Sequence, residues 1–119
     1  LDHPGGAVGY SFARENKKVV ILLDNEFQES QVDELLEFCK DGDLLIWDGM
    51  FTEDELLNKR GWGHSSIEQA VKFTELSDVK KTVICHHAPY RSDIDIDLLK
   101  SKISSDQVSF GREKMSFYI

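Results

Sequence analysis

Three apolar runs in this chain each end on a side chain that can bind a metal ion or move a proton. Residues 19–23 (VVILL) are followed at once by Asp24, residues 44–47 (LLIW) by Asp48, and residues 82–85 (TVIC) by His86 and His87. Two further histidines, His3 and His64, stand in the glycine-containing stretches LDHPGG and GWGHSS. Imidazole and carboxylate together suit zinc, manganese or iron. The separations along the chain are long, and no local motif such as HExxH is present. A site therefore forms only if the fold gathers these residues.

The apolar runs say how it would do so. A continuous apolar run of this length is typical of a strand covered on both faces. The carboxyl ends of such strands are where open α/β sheets place their chemistry. Asp24, Asp48 and His86 would then share one edge of a sheet.

Several of these residues have a plainer reading. Asp24 can form a turn with Asn25 and Glu26, and His64 can simply precede a helix. His87 reads as structural or substrate-facing rather than as a ligand. Gly5, Gly6 and Gly9 have no helix directly after them, so the phosphate-loop fingerprint fails. Asp93, Asp95 and Asp97 alternate with isoleucines but lack the glycine and terminal glutamate of a calcium loop. Trp47 and Trp62 read as packing residues rather than as a platform for bases.

The elements that must position these residues follow from periodicity. Residues 7–13 alternate weakly (Val8, Tyr10, Phe12) and predict a strand, and the polar stretch 14–17 predicts a tight connection to an antiparallel partner at 18–23. Ser30 can cap a helix with Asp33 in its first turn, and Val32, Leu35, Leu36 and Cys39 then form one apolar face ended by Gly42. A strand at 44–47 follows. Thr52 and Glu55 have capping-box spacing before a short helix at 53–58. Ser65 with Glu68, and Ser66 with Gln69, repeat that spacing before a helix to Leu76. A strand at 80–86 precedes a last helix, capped by Ser92 and carrying Ile96, Leu99 and Ile103. Residues 107–110 and 115–119 predict two short strands around a turn. The order is β-β-α-β-α-α-β-α-β-β. Its βαβαβ middle predicts parallel pairing through right-handed crossovers.

Composition bounds the function. A chain of 119 residues is one domain or part of one. A formal charge of −8 disfavours binding along a nucleic-acid polymer. It leaves room for a small anionic ester, because a bound cation inverts the local field. The two cysteines, Cys39 and Cys85, have no CxxC spacing and read as free thiols in a reducing compartment, the cytoplasm. No run is long enough to span a bilayer. The opening LDHP has no initiator Met and reads as the interior of a longer chain.

Five blocks, HPGGAVGYSF, KKVVILLDNE, DLLIWDGMFTEDE, KRGWGHSSIEQAVKF and VICHHAP, occur in an order that resembles the C-terminal half of metallo-β-lactamase-fold hydrolases. The resemblance is strongest to the phosphodiesterase-like branch, which includes the tRNA 3′-processing ribonucleases. It implies that residues 1–119 are a single partial domain, half of an αββα sandwich, with a mixed sheet and flanking helices. It also implies hydrolysis of a phosphodiester or related ester by a metal-bridged hydroxide on two divalent ions, zinc first, with manganese and iron as the other metals suited. On this resemblance His3, Asp24 and His86 hold metal, with Asp24 bridging. His64 lies near the scissile bond as the catalytic residue. Asp48 and His87 stand behind the ligands, Asp48 orienting an imidazole. The family's HxHxDH motif is absent, and Ala88 stands where the family often has an acid after the paired histidines. The chain alone is therefore expected to be inactive, and to need the missing N-terminal half or a second copy over its open sheet face. Two rivals remain: a metal-binding or self-associating half-domain without catalysis, and a small signalling domain phosphorylated on Asp48, which leaves His3 and His86 without a role.

Overall fold

A computed structural model describes residues 1–119, in the order β1 (Tyr10–Arg14), β2 (Lys17–Leu22), a 3-10 turn (Glu29–Gln31), α1 (Val32–Cys39), β3 (Leu44–Asp48), α2 (Glu53–Leu56), α3 (Ile67–Leu76), β4 (Thr82–Cys85), α4 (Asp93–Ser101) and β5 (Val108–Phe110). The strands form one sheet in the order β1-β2-β3-β4-β5. β1 pairs antiparallel with β2, and every later pair is parallel. This is the mixed α/β sheet with flanking helices that the sequence predicts.

The alternation of side chains divides the sheet into two unlike faces. Val20, Leu22, Leu45, Trp47, Ile84 and Phe110 point to the helices and form the buried core with Leu35 and Cys39 of α1 and Ile67, Ala70 and Phe73 of α3. Trp47 stacks on Phe73 with ring centroids 4.9 Å apart, and Phe27 meets both rings edge-on. The opposite face carries the cross-strand row Tyr10, Ile21, Ile46 and Val83. Tyr10 and Phe12 are exposed there.

Local chemistry fixes the helix starts. Thr52 with Glu55, and Ser66 with Gln69, form the reciprocal capping boxes expected, and Ser92 forms a third with Asp95. Two expected caps are not formed. Ser30 lies inside the 3-10 turn, whose start is held by Gln28 N donating to Gln31 Oε1 at 3.1 Å. Ser65 does not pair with Glu68: its hydroxyl is taken by Asn25 O and Phe27 N, while Glu68 accepts from Glu53 N at 2.9 Å.

Residues 115–119 form no strand. Met115 and Phe117 instead line a cleft with Ile46, Val83 and Cys85, so the tail crosses the open face rather than extending the sheet edge. Covering apolar side chains there wins over pairing at the edge.

Candidate metal centre

Parallel pairing puts the ends of β2, β3 and β4 side by side: Leu22 is opposite Trp47, and Asp48 is opposite Cys85. Asp24 and His86, just beyond those strands, both adopt left-handed backbone (φ 54° and 58°). Asp and His tolerate this region better than most residues, and such strain of about 1–3 kcal/mol per residue concentrates at functional sites. The two kinks turn both side chains toward each other, with His86 Nε2 3.3 Å from Asp24 Oδ1.

His64 arrives from the loop before α3. Its Nδ1 lies 2.8 Å from Asp48 Oδ2 and 4.0 Å from Asp24 Oδ1. Its ring stacks on His86 with centroids 4.8 Å apart. Asp24, Asp48, His64 and His86 thus offer four donor atoms within 4.8 Å of one another. Asp48 is 0% exposed and carries three hydrogen bonds: Oδ1 accepts from Met50 N at 3.2 Å, and Oδ2 from Asn25 N at 3.4 Å as well as from His64. A carboxylate accepts, so this bond sets the proton on His64 Nδ1 and leaves Nε2 its lone pair. Asp24 and His86 are the open side of the group, their side chains 48% and 34% exposed. Two imidazoles and two carboxylates converging from four segments suit a divalent cation.

The other expected residues are placed differently. His3 presents its ring edge-on to His64, centroids 5.4 Å apart, and so borders the four-donor group without being part of it. His87 turns away: its Nε2 lies 3.4 Å from Gly111 O, its ring stacks on Phe110, and its Nδ1 is buried without a partner. Burial holds its pKa below the usual imidazole value, against the opposing pull of the Gly111 carbonyl. Trp47 packs in the core as expected, but Trp62 does not. It is 56% exposed on the loop leading to His64, with Lys59 Nζ 4.0 Å from its ring centroid and Phe51 edge-on to it at 6.4 Å.

Asn25 and Glu26, to which the sequence reading gave no part beyond an alternative turn with Asp24, do much of the positioning. Asn25 Oδ1 accepts from Asp2 N at 2.8 Å, and Asp2 O accepts from Glu26 N at 2.7 Å. Glu26 Oε2 accepts from Gly61 N at 2.7 Å and Gly63 N at 3.1 Å. The available signal was three polar residues directly after a buried strand, beside a Gly-x-Gly loop. Across the site, the nearly buried Arg91 donates to Met50 O at 3.0 Å and Glu55 Oε2 at 2.7 Å, tying the segment after β4 to that after β3.

No protein-family profile matches the chain, and no curated protein matches it. Solved structures do. The human tRNase Z short form (ELAC1) superposes with a TM-score of 0.66 and 20% identity, covering 90% of this chain and 36% of that one. A diphosphatase of the PhnP family gives 0.61 and 15% identity, covering 85% and 35%. These likenesses show the fold, part of a metallo-β-lactamase fold. The chain spans about a third of the length of either structure.

Proposed function

We propose that this chain is the C-terminal half of a metal-dependent hydrolase of phosphodiester or related ester bonds. The observation that carries the reading is the convergence of Asp24, Asp48, His64 and His86 at the ends of β2, β3 and β4. The fold shared with a ribonuclease and a diphosphatase supports it.

In this reading Asp24 and His86 would hold metal, with His3 as a further ligand from the neighbouring loop. Bound cations would repel one another, and the negative charge of the Asp24 carboxylate would offset part of that repulsion. A pair of divalent ions supplies Lewis acidity and a nucleophile at neutral pH. With both ring nitrogens protonated, His64 would hand its Nε2 proton to the leaving oxygen, while Asp48, accepting from Nδ1, holds the ring plane and stabilises the imidazolium. Asp48 is fully buried and carries three hydrogen bonds, so its role is to orient. The remaining ligands come from the missing half or from a second copy. Either would cover the open face at Tyr10, Phe12, Ile21 and Ile46. The substrate is a small anionic ester. No helix is long and apolar enough to cross a membrane. Two free cysteines suit a cytoplasmic setting.

The second reading, a half-domain that binds metal and catalyses nothing, is favoured for the isolated chain by the absence of HxHxDH. Metal content by elemental mass spectrometry, after dialysis against zinc, tests the metal reading that both share. Zinc retained by the chain and lost in Asp24→Asn supports it; equal zinc in both proteins refutes it. Hydrolysis of a chromogenic phosphodiester by the zinc-loaded chain would refute the inert half-domain, which predicts none under any loading.

A further inference from the structure

We infer that Glu26 is a positioning residue: its buried carboxylate binds the His64 loop, and its backbone N–H the His3 loop, to the strand end that carries Asp24, so that the side chain sets the geometry in which His64 meets the metal centre. The inference rests on the metal reading above and deepens it.

Glutamate is rarely buried unless paired. Glu26 is 5% exposed, and no lysine or arginine lies within salt-bridge distance. Its carboxylate is met by backbone amides on Oε2 and, at 3.5 Å, by Gln28 Nε2 on Oε1. Gly61 N and Gly63 N both point at Oε2, and both glycines are left-handed (φ 82° and 86°). Amides turned inward in this way form an anion-binding nest. Here the anion is internal, and what it fixes is the residue after the nest, His64.

The same residue fastens the other loop. Glu26 N donates to Asp2 O at 2.7 Å, directly before His3. The two loops also touch, since a Cβ on Gly63 would lie 2.3 Å from His3 Cδ2 and 2.7 Å from Pro4 Cδ. Asp24 is two residues before Glu26, so one short segment supplies a candidate ligand and locates two more imidazoles. A structural staple alone would hold the loop. A positioning residue must also control the ring of His64.

The experiment uses the chain as it stands, with Glu26→Ala and Glu26→Gln. Nitrogen-15 NMR of the imidazoles reports which His64 nitrogen carries the proton, hydrogen exchange reports the Gly61 and Gly63 amides, and chelator competition reports zinc affinity. In the parent chain His64 is a single Nδ1–H tautomer. In Glu26→Ala the two glycine amides lose protection, His64 becomes a tautomer mixture, and zinc binding weakens about 10–100-fold, as for other groups that orient ligands. Glu26→Gln keeps an acceptor oxygen and falls between. Protected α3 amides verify the fold, and if Glu26→Ala unfolds, Glu26→Gln is judged on the same signals. Faster exchange at Gly61 and Gly63 with an unchanged His64 tautomer overturns the inference. A parent chain that binds no zinc refutes the metal reading, and the tautomer signal still decides the role of Glu26.

Discussion

Gly61→Ala and Gly63→Ala form a controlled pair, because the two positions share a backbone conformation and differ in what surrounds them. Both glycines lie near φ 85° (82° and 86°), and both donate to the same oxygen of Glu26. Placing alanine in left-handed backbone costs about 1–2 kcal/mol, and stiffening of the unfolded chain is alike for the two. At Gly61 an added Cβ meets nothing within 4 Å, so the conformational cost is the whole cost. At Gly63 the Cβ lies 2.3 Å from His3 Cδ2 and 2.7 Å from Pro4 Cδ, far inside van der Waals contact. The His3 loop must then move, against the bonds of Asp2 to Asn25 and Glu26. Overpacking of this kind adds about 1–3 kcal/mol. Urea unfolding should therefore place Gly61→Ala about 1–2 kcal/mol below the parent, and Gly63→Ala a further 1 kcal/mol or more, on the order of a methyl-sized overpacking. Equal destabilisation within about 0.5 kcal/mol would refute the claim that the two histidine loops are packed through Gly63.

Three further outcomes are expected. Phe73→Ala, which removes a fully buried ring from the Trp47–Phe27 cluster, should cost about 3–5 kcal/mol in a denaturant titration; a loss below 1 kcal/mol would mean the aromatic cluster is not the centre of the core. Asp43 accepts from Lys80 Nζ, Lys18 N and Lys17 Nζ, which together outweigh its burial and lower its pKa from 3.8 to about 2. As pH falls the unfolded chain takes up this proton first, so the Asp43 contribution, complete above about pH 4, is lost toward pH 2; Asp43→Asn should flatten stability against pH in that window, and an unchanged slope counts against the assignment. Asp48→Asn should leave α3 protected from exchange while releasing the His64 tautomer, since an amide can present a donor where the carboxylate only accepts; a retained single tautomer in NMR contradicts the orienting role.

What the sequence revealed and what it hid divide along a physical line. The strand ends at Asp24, Asp48 and His86 were legible because an apolar run needs no partner information to be read as buried, and its last residue inherits a position. Thr52 and Ser66 were legible because a capping box is closed within four residues. Ser65 was not, because its partners Asn25 and Phe27 lie about forty residues earlier, and an identical local spacing to Glu68 pointed elsewhere. Glu26 was hidden for the same reason, its role being defined by two backbone amides of a distant loop. Trp62 was misread because composition alone cannot say which side of a loop faces water. The tail was misread because alternation at 115–119 fits an edge strand and a cover for an apolar face equally well.

This division also explains why the candidate centre can be well formed in a chain that spans only about a third of its structural neighbours. The left-handed kinks at Asp24 and His86 store strain that the surroundings must over-determine. Those surroundings are the helix-covered face: Leu22, Trp47 and Ile84 are buried to 1% or less, and they precede Asp24, Asp48 and His86 by one or two residues. The side chains that anchor the strand ends therefore belong to a core closed by α1 and α3. The open face contributes Ile21, Ile46 and Val83, and the tail lies beside the last two. A partner on that face can add ligands and exclude water without being needed to bend the chain at Asp24 or His86. The consequence is an order of dependence: loss of a core contact such as Phe73 should disturb the centre and the fold together, whereas a change at exposed Tyr10 or Phe12 should leave the geometry of Asp24, Asp48, His64 and His86 intact.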